Sequence, residues 1–496
     1  MEKNLLDLLI VMPQAKVMGP IDRLVSDVTA DSRAVKKGSL FICLKGAHVD
    51  GHKYIEQAYR DGAACVLVEA EVKERPEGLT VIQVKDTRDA MSLVAPWFFD
   101  YPGKKMRMIG VTGTNGKTTT TNIIRLILCQ AGFKVGLIGT INIMIGEEIE
   151  VSKNTTPDVV DLERILFRMQ QAGCQYVVME VSSHALALKR VAGCEYDVAV
   201  LTNITQDHLD FHETFANYRA AKATLFTHLH EGTKPHKCAI FNMDDPSSAL
   251  IAAETQAPIM TFGKGQTNDI YPVTWQVAAK EMELVLHTPV GEMSLVLRIT
   301  GEFNVYNVMS AVAVMLAEKV AKQTIVDTLQ GFAGVPGRFQ LVEAGQPYTV
   351  IVDYAHTPDG LDNVLRTARL ITKGKLWVVF GCGGDRDHKK RPIMGRIALE
   401  LADNLVVTSD NPRSEEPQRI LADIARGLAG VPEGKNVQQI IDRKEAINYA
   451  LEQAAATDVI LIAGKGHENY QILKDQTIHF DDCEVVREYW AEKVAK

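Results

Sequence analysis

Short apolar runs, each bounded by glycine or polar residues, recur along the chain and alternate with longer amphipathic stretches. Residues 1–103 hold two such runs, SLFICL and AACVLV, with the helix-like HKYIEQAYRDG between them and the amphipathic DTRDAMSLVAPWFFDYP after them. This pattern predicts a small α/β domain that ends in a linker at Tyr101–Gly103. Over 104–335, the runs MRMIGV, VGLIG, YVVMEV, DVAVLTN and KCAIFN read as buried strands separated by helix-length segments. Strands alternating with helices predict a parallel, doubly wound sheet. Between Val273 and Arg298 short strands follow one another without helices, which predicts an antiparallel edge or flap. The helical GEFNVYNVMSAVAVMLAEK comes next, and the segment closes near Gly334–Gly337. Residues 336–496 alternate again through YTVIVDYA, KLWVVFGCG, DNLVVTSD and DVILIAGKG, predicting a second parallel sheet. Its strands end at Asp353, Gly381 to Asp385, Asp410 and Gly464. Open α/β sheets bind ligands at such carboxyl ends.

Composition narrows the function. A chain of 496 residues exceeds a single ordinary core, and its 46% hydrophobic and 23% charged content is that of a soluble globular enzyme. A formal charge of −8 argues against a nucleic-acid or anionic-membrane binder, so an anionic substrate needs local basic groups. The amino-terminal apolar run is broken by Asp7, is too short to span a bilayer, and lacks the marks of a signal peptide. The eight cysteines form no C-x-x-C pair and no zinc spacing; they read as buried thiols in a reducing cytoplasm.

The strongest motif is 110-GVTGTNGKTTT-120, set between a strand and a helix. Backbone N–H groups in such a loop cradle phosphates at a helix N-terminus. Lys117 reaches the β- and γ-phosphates of ATP and Thr118 ligates Mg²⁺ on this reading; the alternative is a glycine-rich turn joining strand to helix. Position 111, glycine in the strict pattern, is Val111. Glu180, ending the strand YVVMEV, is a natural Mg²⁺ ligand. The stretch 202-TNITQDHLDFH-212 gathers Asp207, His208, Asp210 and His212, and His208 reads either as structural or as part of the site. Arg190 is either a solvated helix-end charge or an anion contact; Arg338 is placed to reach a nucleotide. By pattern alone Lys222, in YRAAKATLF, is a surface lysine on a helix. The stretch 410-DNPR-413 is open to two readings, a turn built by Asp410, Asn411 and Pro412 or a recognition loop that offers Arg413 to an anion.

Taken together, GTNGKTT, SSHAL, TNITQDHLDFH, YRAAK, GEFNVYNVMSA, GRFQ and DYAHTPD resemble the Mur ligase family, whose motifs run in family order from about Asp31 to Glu468. The family's own phosphate loop is GTNGKT, which accounts for Val111. The resemblance implies an α/β, three-domain Mur ligase architecture. Residues 1–103 would bind the UDP-sugar, 104–335 form the central P-loop parallel sheet, and 336–496 form a C-terminal Rossmann-like domain for the amino acid. It implies an ATP- and Mg²⁺-dependent, amide-forming ligase of peptidoglycan precursor synthesis, cytoplasmic and monomeric. Its substrates would be UDP-N-acetylmuramoyl-L-alanyl-D-glutamate and meso-diaminopimelate.

Site residues carry over from the resemblance by position. Gly113, Thr114, Asn115, Gly116, Lys117, Thr118, Thr119, Asn307 and Arg338 fall to ATP. Thr118, Glu180 and His208 fall to Mg²⁺, and Lys117, Glu180, His208 and Lys222 to catalysis. Lys222 is reassigned as a carbamylated lysine, a carboxylate-like group in place of an ammonium. Ser32, Asn154, Thr155, Thr156, Ser182 and Arg190 fall to the UDP-sugar substrate, with further contacts near Gly46 to Val49. Arg386, Asp410, Asn411, Pro412, Arg413, Gly464 and Glu468 fall to diaminopimelate. An arginine fork matches a carboxylate bidentately, so Arg413 is expected to read the distal carboxylate that lysine lacks. Three rivals remain: a ligase with another acceptor, such as the lysine-adding enzyme or a folylpolyglutamate synthetase, a P-loop NTPase acting as a switch or motor, and a non-catalytic binding protein, which would not need Glu180, His208 and Lys222 assembled. DNPR and the amino-terminal domain argue against the first, the polar strand ends of the last segment against the second.

Overall fold

The computed structural model describes residues 1–46, 49–278 and 280–494. The chain forms two compact units, residues 1–261 with 313–318, and 262–312 with 319–496.

The first unit holds two main sheets beside a short antiparallel pair, Lys3–Asn4 with Leu24–Val25. In the smaller, Asp27–Thr29, Ser39–Ile42, Cys65–Val68 and Thr80–Gln83 run parallel, and Lys16–Met18 joins antiparallel at the edge. The helix Thr87–Phe98 starts at Asp86, whose carboxylate caps the Arg88 and Asp89 N–H groups, and it buries Met91, Val94 and Trp97 against this sheet. The larger sheet has a parallel core in the order Val135–Ile138, Tyr176–Glu180, Arg107–Thr112, Val198–Leu201 and Cys238–Asn242. Asn142–Ile145 and Glu148–Val151 extend it antiparallel. The core strands are buried along their length, as strands covered on both faces must be. In this order Arg107–Thr112 lies at the centre, and the loops after it, after Tyr176–Glu180 and after Val198–Leu201 share one end of the sheet.

The second unit contains a three-stranded antiparallel sheet, Tyr271–Val277, Met282–His287 and Met293–Leu297, where the flap is predicted. Its main sheet orders Thr349–Asp353, Val459–Ala463, Leu376–Phe380, Asn404–Val407 and Asn436–Gln439 in parallel, with Gln340–Leu341 antiparallel at the edge. The four strands read from the sequence are all present. Asn436–Gln439, a polar edge strand, was not among them. Among the described residues no helix is long and apolar enough to cross a membrane. All eight cysteines are free thiols, and burial pushes those of Cys43, Cys65, Cys382 and Cys483 up to about 12.

One buried acid in the first unit has a measurable consequence. Glu163, on the helix Val159–Gln171, is buried; its Oε2 has no partner and its Oε1 meets only the Cys194 thiol at 3.9 Å. Burial pushes this carboxyl from 4.5 up to about 8, so the folded chain keeps its proton where the unfolded chain releases it. Stability is full below 4.5 and is lost as pH rises through 8. Glu163→Met removes this dependence. Relative to the natural chain it is expected to gain on the order of 3 kcal/mol between pH 5 and pH 8, read from denaturant melts at both pH values.

Candidate active site

At the centre of the larger sheet the chain turns from Thr112 into the helix Lys117–Gln130. The turn passes so close to the next strand that a Cβ on Gly113 would lie 1.9 Å from Thr202 Oγ1, so only glycine fits there. The Thr114 N–H donates to the Asn203 carbonyl at 2.8 Å and the Asn115 N–H to Asn203 Oδ1 at 2.9 Å, which fixes the loop against the end of Val198–Leu201. The Thr114 hydroxyl meets the Tyr218 hydroxyl at 2.9 Å. Lys117 folds back along the loop and donates to the Gly113 and Thr114 carbonyls, both at 2.8 Å. Its ammonium is thereby held over the segment whose N–H groups would face phosphate.

Thr118 and Thr119, in the first turn of the helix, are both buried. Thr118 Oγ1 donates to Glu180 Oε2 at 3.1 Å. The same carboxylate accepts from the Thr140 hydroxyl and N–H, both at 2.9 Å. Thr140 is a part of this cluster that sequence reading missed. Two hard oxygens, Thr118 Oγ1 and a Glu180 carboxylate oxygen, thus converge beside the loop, a donor set that suits Mg²⁺, which keeps several waters and takes few protein ligands. His208 stands with φ at 53°, a left-handed backbone uncommon for a side chain of this size. Desolvation, with Asp207 opposing it and Lys117 and Lys222 adding to it, pushes its imidazole below the ordinary range, toward the neutral form that can coordinate a cation.

Lys222 is not the surface lysine its local pattern predicts. It is 1% exposed, on the buried face of the helix Phe215–Thr227 with Tyr218 and Phe226. Its Nζ donates to the Gly113 carbonyl at 2.8 Å and lies 4.7 Å from the centre of the Tyr218 ring. Burial first, and then the charge of Lys117, push its ammonium well below the ordinary lysine range. A buried amine biased toward its neutral form is a nucleophile, the chemical requirement for capturing CO₂ as a carbamate.

Four of the substrate candidates interlock beside the same strand ends. Thr156 Oγ1 donates to the Glu180 carbonyl at 2.8 Å, and the Ser182 N–H donates back to Thr156 Oγ1 at 3.1 Å. Thr155 Oγ1 meets Thr140 Oγ1 at 3.1 Å, and Arg190 donates to the Thr156 carbonyl at 3.2 Å. Arg190 Nε also lies 2.8 Å from Asp158 Oδ1. The arginine is therefore tied into this loop and is not a solvated helix end. Asn154 is exposed on the same segment. Ser32 sits in a short turn capped by Asp31, and among the described residues no hydrogen bond joins it to this group. Of the contacts expected near Gly46 to Val49, Ala47 and His48 lie outside the described residues.

In the second unit Asn307 is buried and donates to Asn304 Oδ1 at 2.8 Å. The Arg338 guanidinium packs 5.0 Å from the Tyr354 ring centre, next to Asp353, which ends a strand of the main sheet. At the carboxyl ends of that sheet, three loops meet. Asn411 Nδ2 donates to Glu468 Oε2 at 2.8 Å, and Asn411 Oδ1 accepts the Ile472 N–H at 2.9 Å. The Asp410 carbonyl accepts from Gln471 at 2.7 Å. Arg413 has φ at 53°, its N–H bonds the Ile472 carbonyl at 3.0 Å, and its guanidinium Nη1 bonds the Gly384 carbonyl at 2.9 Å. Pro412 packs over Gly384, where a Cβ would fall 1.9 Å from the Pro412 carbonyl oxygen. Gly464 closes the group, since a Cβ there would lie 3.2 Å from Asp410 Oδ2. Arg386 is exposed, with its guanidinium on the Asp385 carbonyl at 3.0 Å. The chain turns over Pro412–Glu415, just beyond Asp410 and Asn411, with the Glu415 N–H on the Pro412 carbonyl at 3.1 Å, and this turn holds Arg413, in its left-handed backbone, on the strand-end loops. Buried Arg391, absent from the sequence reading, braces it through Glu415 at 2.8 Å; nothing in KKRPIMG marks that arginine as buried.

Three family profiles match the chain in order. They are the Mur ligase family catalytic domain over residues 24–96, the Mur ligase middle domain over 111–315, and the Mur ligase glutamate ligase domain over 337–466. A Bacillus cereus protein named UDP-N-acetylmuramoyl-L-alanyl-D-glutamate–2,6-diaminopimelate ligase is 47% identical over 468 residues, covering 94% of each chain. The chain belongs to the Mur ligase family. A Geobacillus kaustophilus protein of the same name is 48% identical to this Mur ligase, over 92% of this chain and 93% of that one. A solved structure of a protein with that name superposes with a TM-score of 0.71 at 32% identity, covering 100% of both chains.

Proposed function

We propose that the chain is an ATP-dependent ligase that joins meso-diaminopimelate to the γ-carboxylate of the D-glutamyl residue of UDP-N-acetylmuramoyl-L-alanyl-D-glutamate, in peptidoglycan precursor synthesis. One observation carries this reading. A single loop cluster sets an arginine fork, Arg413, beside the amide–carboxylate pair Asn411–Glu468. Such a set matches an end group bearing both a carboxylate and an ammonium. The names of the relatives support it. We assign residues 1–103 to the UDP-sugar, 104–335 to ATP and 336–496 to the amino acid, in a monomeric, cytoplasmic enzyme.

In this mechanism the glutamyl γ-carboxylate attacks the γ-phosphorus of ATP, forming an acyl phosphate and releasing ADP. The amine of diaminopimelate then attacks the acyl carbon, and the tetrahedral intermediate collapses to the amide and phosphate. The loop 113–119 holds the phosphates through its N–H groups, and Lys117 offsets the charge gathered as the two anions approach. Thr118, Glu180 and His208 would hold Mg²⁺, which when bound draws charge from the phosphate oxygens. Carbamylated, Lys222 presents an anion where its ammonium would repel a cation. Asn307 and Arg338 are assigned to the nucleotide. Thr155, Thr156, Ser182 and Arg190, with Ser32 and Asn154, orient the UDP-sugar substrate, and Arg386, Asp410, Pro412 and Gly464 shape the amino-acid end.

The test is phosphate release with ATP, Mg²⁺ and the UDP-dipeptide, comparing meso-diaminopimelate with L-lysine. A preference for diaminopimelate of at least ~10²-fold in kcat/KM is the expected result. Equal use of lysine would leave a ligase with the wrong acceptor assigned, and release without any acceptor would favour an NTPase.

A further inference from the structure

Resting on the acceptor assignment above, we propose that Lys465 is a positioning and specificity-setting residue, which balances the charge of the acceptor pocket so that it takes a zwitterionic end group in preference to a simple cation. Lys465 lies in the loop after the strand Val459–Ala463 and is 0% exposed. Burying an ammonium is costly unless it is hydrogen-bonded and paired. This one is surrounded by groups of the acceptor loops. Its Nζ donates to Glu468 Oε2 at 3.1 Å and to Asn411 Oδ1 at 3.3 Å, lies 3.9 Å from Asp410 Oδ1, and sits 5.4 Å from the Tyr470 ring centre.

Two consequences follow from that placement. The first is orientation. An amide side chain can face either way, but Asn411 Oδ1 is taken by the Lys465 ammonium and the Ile472 N–H. Its Nδ2 must therefore point to Glu468. Lys465 fixes both the amide and the carboxylate against which an acceptor ammonium would rest. The second is charge. Two carboxylates, Asp410 and Glu468, face the cluster, while two other buried cations nearby are committed elsewhere, Arg443 to Asp482 through paired contacts at 2.7 Å and Arg391 to Glu415 and Asp423. Lys465 offsets one of the two carboxylates. With Arg413 added, the loops balance a ligand end carrying one ammonium and one carboxylate. Without Lys465 they hold an excess negative charge, which favours an end carrying an ammonium alone.

The test uses full-length Lys465→Met and Lys465→Gln with ATP, Mg²⁺ and the UDP-dipeptide, measuring kcat and KM separately for meso-diaminopimelate and L-lysine. The expected result for Lys465→Met is a KM for diaminopimelate raised about 10- to 100-fold. The ratio of kcat/KM for diaminopimelate over lysine should fall by about tenfold or more, and the KM for ATP should hold. Lys465→Gln keeps a hydrogen-bond donor and loses the charge. It should show a smaller rise in KM and the same fall in preference, and it decides the matter alone if the methionine variant does not fold. A loss that scales equally for both acceptors, or one confined to kcat, would make Lys465 a merely structural residue and overturn the proposal. The natural enzyme's own preference is read first. If it does not favour diaminopimelate, the acceptor assignment fails and this proposal fails with it; if it does and the variants keep that preference, only this proposal fails.

Discussion

Lys117→Ala is expected to lower phosphate release with all substrates present by at least ~10³-fold, with little change in melting temperature. The size of the loss follows from what surrounds the ammonium. In an enzyme that gathers an anionic nucleophile and a triphosphate, catalysis is almost wholly positioning and charge stabilisation. Lys117 supplies positive charge inside the phosphate loop, and removing one preorganised group of this kind typically costs 10²–10³-fold by itself. Here the lysine also bonds the Gly113 and Thr114 carbonyls, so its loss loosens the cradle as well. The fold is insulated from the change, because Lys117 is only partly buried and the helix behind it is anchored by Ile123, Ile124, Ile127 and Leu128. Isotope exchange between ADP and ATP, which reports acyl-phosphate formation without the amino acid, should fall in parallel. Amide formation at a near-natural rate would remove Lys117 from the mechanism.

A sequence displays some of the physics of this fold and hides the rest. The parallel sheets of 104–335 and 336–496 are legible because their core strands are covered on both faces and must be continuous apolar runs. The phosphate loop is legible because N–H groups crowded at a helix start demand glycine at fixed places, and at Gly113 the near contact with Thr202 shows why. The edge strand Asn436–Gln439 was missed because an edge strand half open to water need not be apolar. Lys222 illustrates a different failure. Judged by residue type it belongs on the surface, yet it stands four residues from Tyr218 and four from Phe226, on the same face of one helix. That spacing was the available signal, and the cation's own polarity hid it. Thr140 and Lys465 carry no such signal. Each joins its own cluster through loops brought together by one sheet, which spacing along the chain does not reveal.

Arg413→Ala is the other large change expected, and it separates recognition from chemistry. The substitution should lower kcat/KM for meso-diaminopimelate by about 10²–10⁴-fold, mostly through KM, while leaving the low activity with L-lysine within a few-fold. A carboxylate left without its fork in a pocket of this kind costs several kcal/mol, whereas lysine brings no distal carboxylate to be stranded. The backbone sharpens the test. Arg413 holds φ at 53°, where alanine is strained to a similar degree, so the loop gains no relief from the exchange. Arg413→Gly relaxes that strain and should give the same acceptor profile if the guanidinium carries the effect. Arg413→Lys keeps the charge but cannot form the paired hydrogen bonds, and should recover only part of the loss. Should all three variants retain the natural preference, 410-DNPR-413 would be a turn and the selectivity would have to reside in Arg386 or elsewhere in the strand-end loops. The contact of Arg413 Nη1 with the Gly384 carbonyl, at 2.9 Å, argues for the guanidinium, because it already fixes one face of the fork and leaves the remaining donors for a ligand.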